Sequence, residues 1–167
     1  MSYSPLMAGT AIITEGSRGI GAATARQAAM AGYNVCINYV THAAKSVDLV
    51  VAECETLGRK VLAVKVDVGN AKDVAELFTA CGNAFGPVSL PVNSASIIGK
   101  ATSNGGSGGV IANASSVAAR LGIPDQPVMS PLGRFASPNG IAAEILWLAS
   151  PESNYVTGAV LPVSGGL

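Results

Sequence analysis

The stretch TEGSRGIG, Thr14–Gly21, decides how the rest of the chain is read. It follows a short apolar run, MAGTAIIT (Met7–Thr14), and opens a segment of small residues, GIGAATARQAAMAG (Gly19–Gly32). The first run has the length and composition of a buried strand. The second reads as a helix that ends at Gly32, a residue suited to a C-terminal cap. Glycines in such a turn let the backbone come close to a ligand, and the helix N-terminus offers unpaired N–H groups and the positive end of its dipole. A strand, a glycine-rich turn and a helix in this order make a phosphate cradle of the dinucleotide-binding kind.

Outward from the turn, strand and helix patterns alternate. NVCINY (Asn34–Tyr39) reads as a second strand. AAKSVDLVVAECETLG (Ala43–Gly58) reads as an amphipathic helix with Val47, Val50, Val51, Cys54 and Leu57 on its inner face. KVLAVKVDV (Lys60–Val68) is a third strand, and a third helix follows with Asn70 as its N-cap. PVSLPVN (Pro87–Asn93) is a fourth strand. This alternation predicts an α/β fold, a doubly wound parallel sheet of Rossmann type in a single domain spanning residues 1–167.

The second half breaks the pattern. Ser96–Gly109 has turn and linker composition, and only VIANASS (Val110–Ser116) reads as a fifth strand. A proline-rich stretch leads to a short apolar helix, IAAEILWLAS (Ile141–Ser150), and to GAVLPV (Gly158–Val163), read as a last strand. The sheet is thus expected to be incomplete in its second half.

Composition narrows the function classes. The chain has 167 residues, 49% of them hydrophobic and 12% charged, which suits strands buried on both faces. Lys and Arg balance Asp and Glu, and no basic run occurs, so the footprint of a nucleic-acid binder is missing. No apolar run approaches a membrane span, and the N-terminus carries no signal-peptide pattern, so a cytoplasmic protein is expected. Cys36, Cys54 and Cys81 are dispersed and do not cluster with His42, which suits reduced core thiols rather than a metal site.

Several motifs, taken in order, resemble those of the short-chain dehydrogenase/reductase family. TEGSRGIG resembles the family's TGxxxGxG turn, with Thr14, Gly19 and Gly21 matching. VDV (Val66–Val68) resembles the family's adenine-contacting segment, and VNSAS (Val92–Ser96) its NNAG motif. VIANASSVAARLG (Val110–Gly122) resembles the strand that carries the family's serine, and Pro131–Gly166 its C-terminal segment, closest to glucose-dehydrogenase-like and oxoacyl-reductase-like branches.

The resemblance implies NADP as cofactor, with NAD possible. It assigns cofactor contacts to Ser17, Arg18, Gly19, Ile20, Gly21, Asn38, Tyr39, Asp67, Val68, Asn93 and Ala95. The charge pattern agrees with NADP: the second strand ends without the acid that reads a ribose 2′-OH, and Arg18 can meet a 2′-phosphate. The implied substrate is a small carbonyl compound or alcohol. A complete chain is expected to form a homodimer or tetramer.

Two departures stand out. Glu15 replaces the first glycine of the turn, adding a Cβ and a negative charge beside the phosphate cradle, and Ser94 and Ser96 replace an Asn and a Gly of NNAG. The larger departure concerns catalysis. The family places a Tyr-x-x-x-Lys pair on one helix face, where the ammonium lowers the phenol pKa for proton transfer, and a serine binds the carbonyl oxygen. Ser116 matches that serine. The tyrosines Tyr3, Tyr33, Tyr39 and Tyr155 are followed four places on by Met7, Ile37, Ala43 and Ala159, so the pair is absent from these residues.

Family segments are missing around Ile97–Gly109 and Gly122–Arg134, among them the sixth strand that should pair with GAVLPV. Three readings stay open. The segments exist outside the 167 residues; or the chain is an internally deleted homologue that binds nucleotide without catalysis; or it is a structural subunit whose interface replaces the lost helices.

Overall fold

The computed structural model describes residues 9–40, 44–94, 111–114, 131–132, 134 and 136–166. Among them, five strands form one parallel sheet: β1 (Thr10–Ile13), β2 (Asn34–Tyr39), β3 (Val61–Lys65), β4 (Val88–Asn93) and β5 (Ala112–Asn113), in the order β3-β2-β1-β4-β5. The helices are α1 (Gly19–Met30), α2 (Ala44–Thr56), α3 (Ala71–Phe85) and α4 (Pro138–Leu148), followed by a 3-10 turn at Pro151–Ser153. This is the expected Rossmann-like α/β sheet.

Alternation along the strands makes two cores. Ala11 and Ile13 of β1, Val35 and Ile37 of β2, and Leu90 and Val92 of β4 face α1, α2 and α4. The small residues of α1 suit this place, because Ala22, Ala25 and Ala28 let the helix lie close to the sheet. On the opposite face Ile12 and Cys36 meet Leu77 and Cys81 of α3. Arg26 and Glu53 pair across α1 and α2, and Gln27 Nε2 donates to the Asn139 carbonyl to tie α1 to α4.

Local signals set the helix ends. The Asn70 side chain accepts from Lys72 N at 2.9 Å and caps α3, as expected. Ser137 does the same for α4, accepting from Gly140 N, with Pro138 in the first turn. Gly32 lies past the end of α1 at φ 103. On α2, Val47, Val50 and Cys54 are buried and Val51 is half-buried, but Leu57 is exposed because the helix ends one residue before it.

The second half departs from expectation at one element. Gly158–Val163 forms no strand, and Val160 is 83% exposed. A strand needs a neighbour for its N–H and C=O groups, and no sixth strand flanks it among the described residues. β5 is also short. Ala114 N donates to Asn93 O, so alternate β4 residues Asn93 and Pro91 turn their backbone groups toward β5. Pro91 has no N–H to donate, and the ladder begins only beyond it, at Val92 opposite Ala112. The second face is covered by α3 alone among the described helices, which leaves Ser89, Pro91 and Asn93 partly exposed. Ala95, Ser116 and His42 lie outside the described residues, as do most of the two stretches where the family pattern breaks off.

All three cysteines are buried free thiols. Cys36 and Cys81 come together between β2 and α3; a side-chain hydrogen bond to Cys36, and then burial, hold the Cys81 thiol above its ordinary pKa. Burial pushes the Cys54 thiol up to about 11. The thiolate is the reactive form, so a disulfide reagent at pH 8 is expected to label none of the three cysteines in the native protein and all three in guanidinium. Rapid labelling of the native protein would show that these cores open readily.

Candidate functional site

The strand order reverses direction between β1 and β4, and in open parallel sheets the crevice beyond such a point is where ligands bind. The two strand ends are tied together there. Thr14 N donates to the Val92 carbonyl at 3.0 Å, and Thr14 Oγ1 accepts from Ser94 N at 2.9 Å. A cleft of about 270 Å³ opens beside this junction, lined by Glu15, Arg18, Gly19, Ile20, Gly21 and Ser94. A smaller hollow of about 50 Å³ adjoins it, lined by Glu15, Ser17, Arg18, Tyr39 and Val40.

The chemistry of the larger cleft follows from the start of α1. The first intrahelical bond runs from Ala22 N to Arg18 O, so the N–H groups of Gly19, Ile20 and Gly21 precede it and have no intrahelical acceptor. No acid occupies the first turn of α1. Gly19 sits at φ 54, where a side chain is strained. A Cβ on Gly21 would run into the Glu15 carbonyl, so glycine is what lets the helix end sit against the turn. Arg18 is exposed, has extended backbone (φ −156), makes no side-chain cap and lines both hollows. Free N–H groups and a helix dipole suit a pyrophosphate, and Arg18 adds a positive charge beside them. The turn therefore fits a dinucleotide, with Glu15 as the one opposing charge.

Asn38 has a different part from the expected one. It is fully buried, its Oδ1 accepts from Glu15 N at 2.8 Å, and its Nδ2 donates to the Val66 carbonyl at 2.9 Å. Gly16 N adds a bond to the Asn38 carbonyl at 3.1 Å. Both ends of the amide are occupied, so Asn38 positions the turn rather than reaching into the cleft. A polar residue in the apolar strand NVCINY carries that signal in sequence, because a buried amide has to be paired.

The other expected residues fall along the same edge of the sheet. Ser17 is buried beneath the turn, and Tyr39 is half-buried at the rim of the smaller hollow. Val66 N donates to the Tyr39 carbonyl, which brings the chain after β3 beside the end of β2. Asp67 is exposed; its Oδ1 accepts from Gly69 N, while its own N–H donates to Asp73 Oδ2. The Val68 side chain is partly buried and packs on the α3 core. Asn93 Nδ2 donates to Asn113 Oδ1 at 2.6 Å, linking the ends of β4 and β5. Asn113 and Asp73 were not expected from sequence as parts of this edge. Among the described residues no group of three or more His, Cys, Asp or Glu side chains comes together, and no helix is long and apolar enough to cross a membrane.

Comparison with known proteins accords with this arrangement. Residues 9–107 match the family model described as short chain dehydrogenase, and residues 125–167 match one described as enoyl-(acyl carrier protein) reductase. The chain belongs to the short chain dehydrogenase family, a family of NAD(P)-dependent oxidoreductases. An uncharacterized oxidoreductase of Escherichia coli, YgfF, is 26% identical over 246 positions that take in 93% of this chain and 98% of that protein. Those positions outnumber the 167 residues here, so long stretches of the relative face no residue of this chain. The 3-oxoacyl-[acyl-carrier-protein] reductase of Synechocystis is 38% identical over 92 residues, covering 55% of this chain and 37% of that protein. A metagenomic blue fluorescent protein solved in complex with NADPH shares the fold, with a TM-score of 0.82 at 24% identity over 98% of this chain and 99% of that one.

Replacing Asn38 with Leu removes both amide bonds and leaves the part-buried Glu15 N–H and the buried Val66 carbonyl without these partners. Unpaired buried groups of this kind cost about 1–3 kcal/mol each. Urea unfolding of Asn38→Leu is expected to show a loss of roughly 2–4 kcal/mol. A loss below about 0.5 kcal/mol would mean that Asn38 does not hold the turn.

Proposed function

We propose that residues 1–167 form one dinucleotide-binding domain that takes NADP, with NAD as a second ligand, in the crevice between the ends of β1 and β4. The observation that carries this reading is the lining of that crevice by Arg18 and by the first turn of α1, where Gly19, Ile20 and Gly21 have N–H groups with no helical acceptor. These groups and Ser17 would hold the phosphates. Arg18 and Tyr39 would face the adenosine ribose, Asp67 and the Val68 backbone the adenine, and Asn93 and Ala95 the segment beyond. A cytoplasmic location and a homo-oligomeric complete chain accompany this proposal.

The reaction class is oxidoreduction of a small carbonyl compound or alcohol. The nicotinamide, when bound, supplies or takes up a hydride. Ser116, by its match to the family's serine, would donate a hydrogen bond to the substrate oxygen and orient it. Proton delivery to that oxygen calls for the Tyr-x-x-x-Lys pair, which these 167 residues lack. That absence favours one second reading, a chain that binds the dinucleotide without turning over substrate.

Arg18 supplies the test. A charge-assisted hydrogen bond is worth about 1.5–3 kcal/mol, so Arg18→Ala is expected to weaken NADP binding roughly tenfold or more and NAD binding by less than about twofold. Calorimetric titration reads both. An equal effect on the two ligands would remove Arg18 from the 2′-phosphate. Assay of the same protein with NADPH and simple ketones separates the two readings: turnover excludes the non-catalytic one.

A further inference from the structure

Glu15 is the one charged side chain of the turn that the cradle does not explain. It stands at φ 50, in the left-handed region that strains a residue with a Cβ. The buried Asn38 amide holds it there through Glu15 N. Among the described residues its carboxylate has no hydrogen-bond or ion-pair partner, so no described contact requires the charge. Yet Glu15 lines both hollows. In the smaller one it stands with Ser17, Arg18, Tyr39 and Val40, at the end of β2.

That location matters for recognition. Rossmann sites read the adenosine ribose beyond the second strand, where an acid accepts from the 2′-OH and repels a 2′-phosphate. Tyr39 and Val40 supply no acid there. The turn supplies one instead, since Glu15 lines the same hollow as Tyr39 and Val40. Arg18 faces the same space with the opposite charge.

We propose that Glu15 is a specificity-determining residue: its carboxylate favours an unmodified ribose and opposes the 2′-phosphate that Arg18 attracts, so that the chain discriminates only weakly between NAD and NADP. The proposal rests on the dinucleotide reading above and adds to it the residue that sets cofactor choice. Repulsion of the pyrophosphate weakens both ligands alike. The discriminating part of the effect appears only in the ratio of the two affinities.

The experiment is calorimetric titration of the 167-residue chain and its Glu15→Gln variant with NADP+ and with NAD+, at low and high salt. Glutamine keeps the length of the side chain and removes the charge. Thermal melting checks the fold, and Glu15→Asn, which tolerates a positive φ, serves if the first variant unfolds. The expected result is a shift of the affinity ratio toward NADP+ of about tenfold, smaller at high salt. Binding of both ligands with an unchanged ratio overturns the role of Glu15 and leaves the dinucleotide site standing. Failure of every protein to bind either ligand overturns both.

Discussion

One buried amide holds the nucleotide end of this molecule together. Asn38, next to last in β2, has its side chain placed between the turn after β1 and the chain leaving β3, bonding Glu15 N on one side and the Val66 carbonyl on the other. Those three segments carry the glycine turn, the smaller hollow and the edge at Val66–Val68. The position of each relative to the others depends on this bridge, because the apolar contacts of β1 and β2 fix the strands but not the loops at their ends. The bridge also explains how a residue with a Cβ is kept at a positive φ in the turn. The strain at Glu15 is local, and the bond to Asn38 offsets part of it.

The remainder of the sheet is weaker by construction. β1 lies between two full partners and is buried throughout. β4 has a full partner only on its β1 side, since Pro91 withholds a donor from β5. Gly158–Val163 has no strand beside it among the described residues and remains exposed. Stability is thus concentrated in β1, β2 and the helices packed on them, the part that builds the cofactor crevice. The Tyr-x-x-x-Lys pair that would carry proton transfer is absent from these 167 residues.

Much of this was readable in the residues. The burial of the first strands on both faces, the glycine turn and the Asn70 cap all follow from local rules, and the structure has them where those rules put them. Leu57 and Gly158–Val163 were misread for opposite reasons. Leu57 fits the helical period but lies just past the helix end. GAVLPV has good strand composition, but a strand also requires a neighbour, which composition does not reveal. Asn38 was expected as a cofactor contact because the family resemblance implies one there. Only three-dimensional placement shows that its amide is already occupied. The meeting of Cys36 with Cys81, and of Asn93 with Asn113, likewise depends on which strands and helices become neighbours.

The account rests on a single crevice, at the ends of β1 and β4, that receives a nicotinamide dinucleotide. The most direct test is nuclear magnetic resonance of the isotope-labelled chain during titration with NADP+. The account predicts saturable shifts of the backbone amides of Gly16–Gly21 and Ser94, with Gly158–Val163 unmoved. Shifts that leave the turn untouched, or no shifts at saturating ligand, would contradict it.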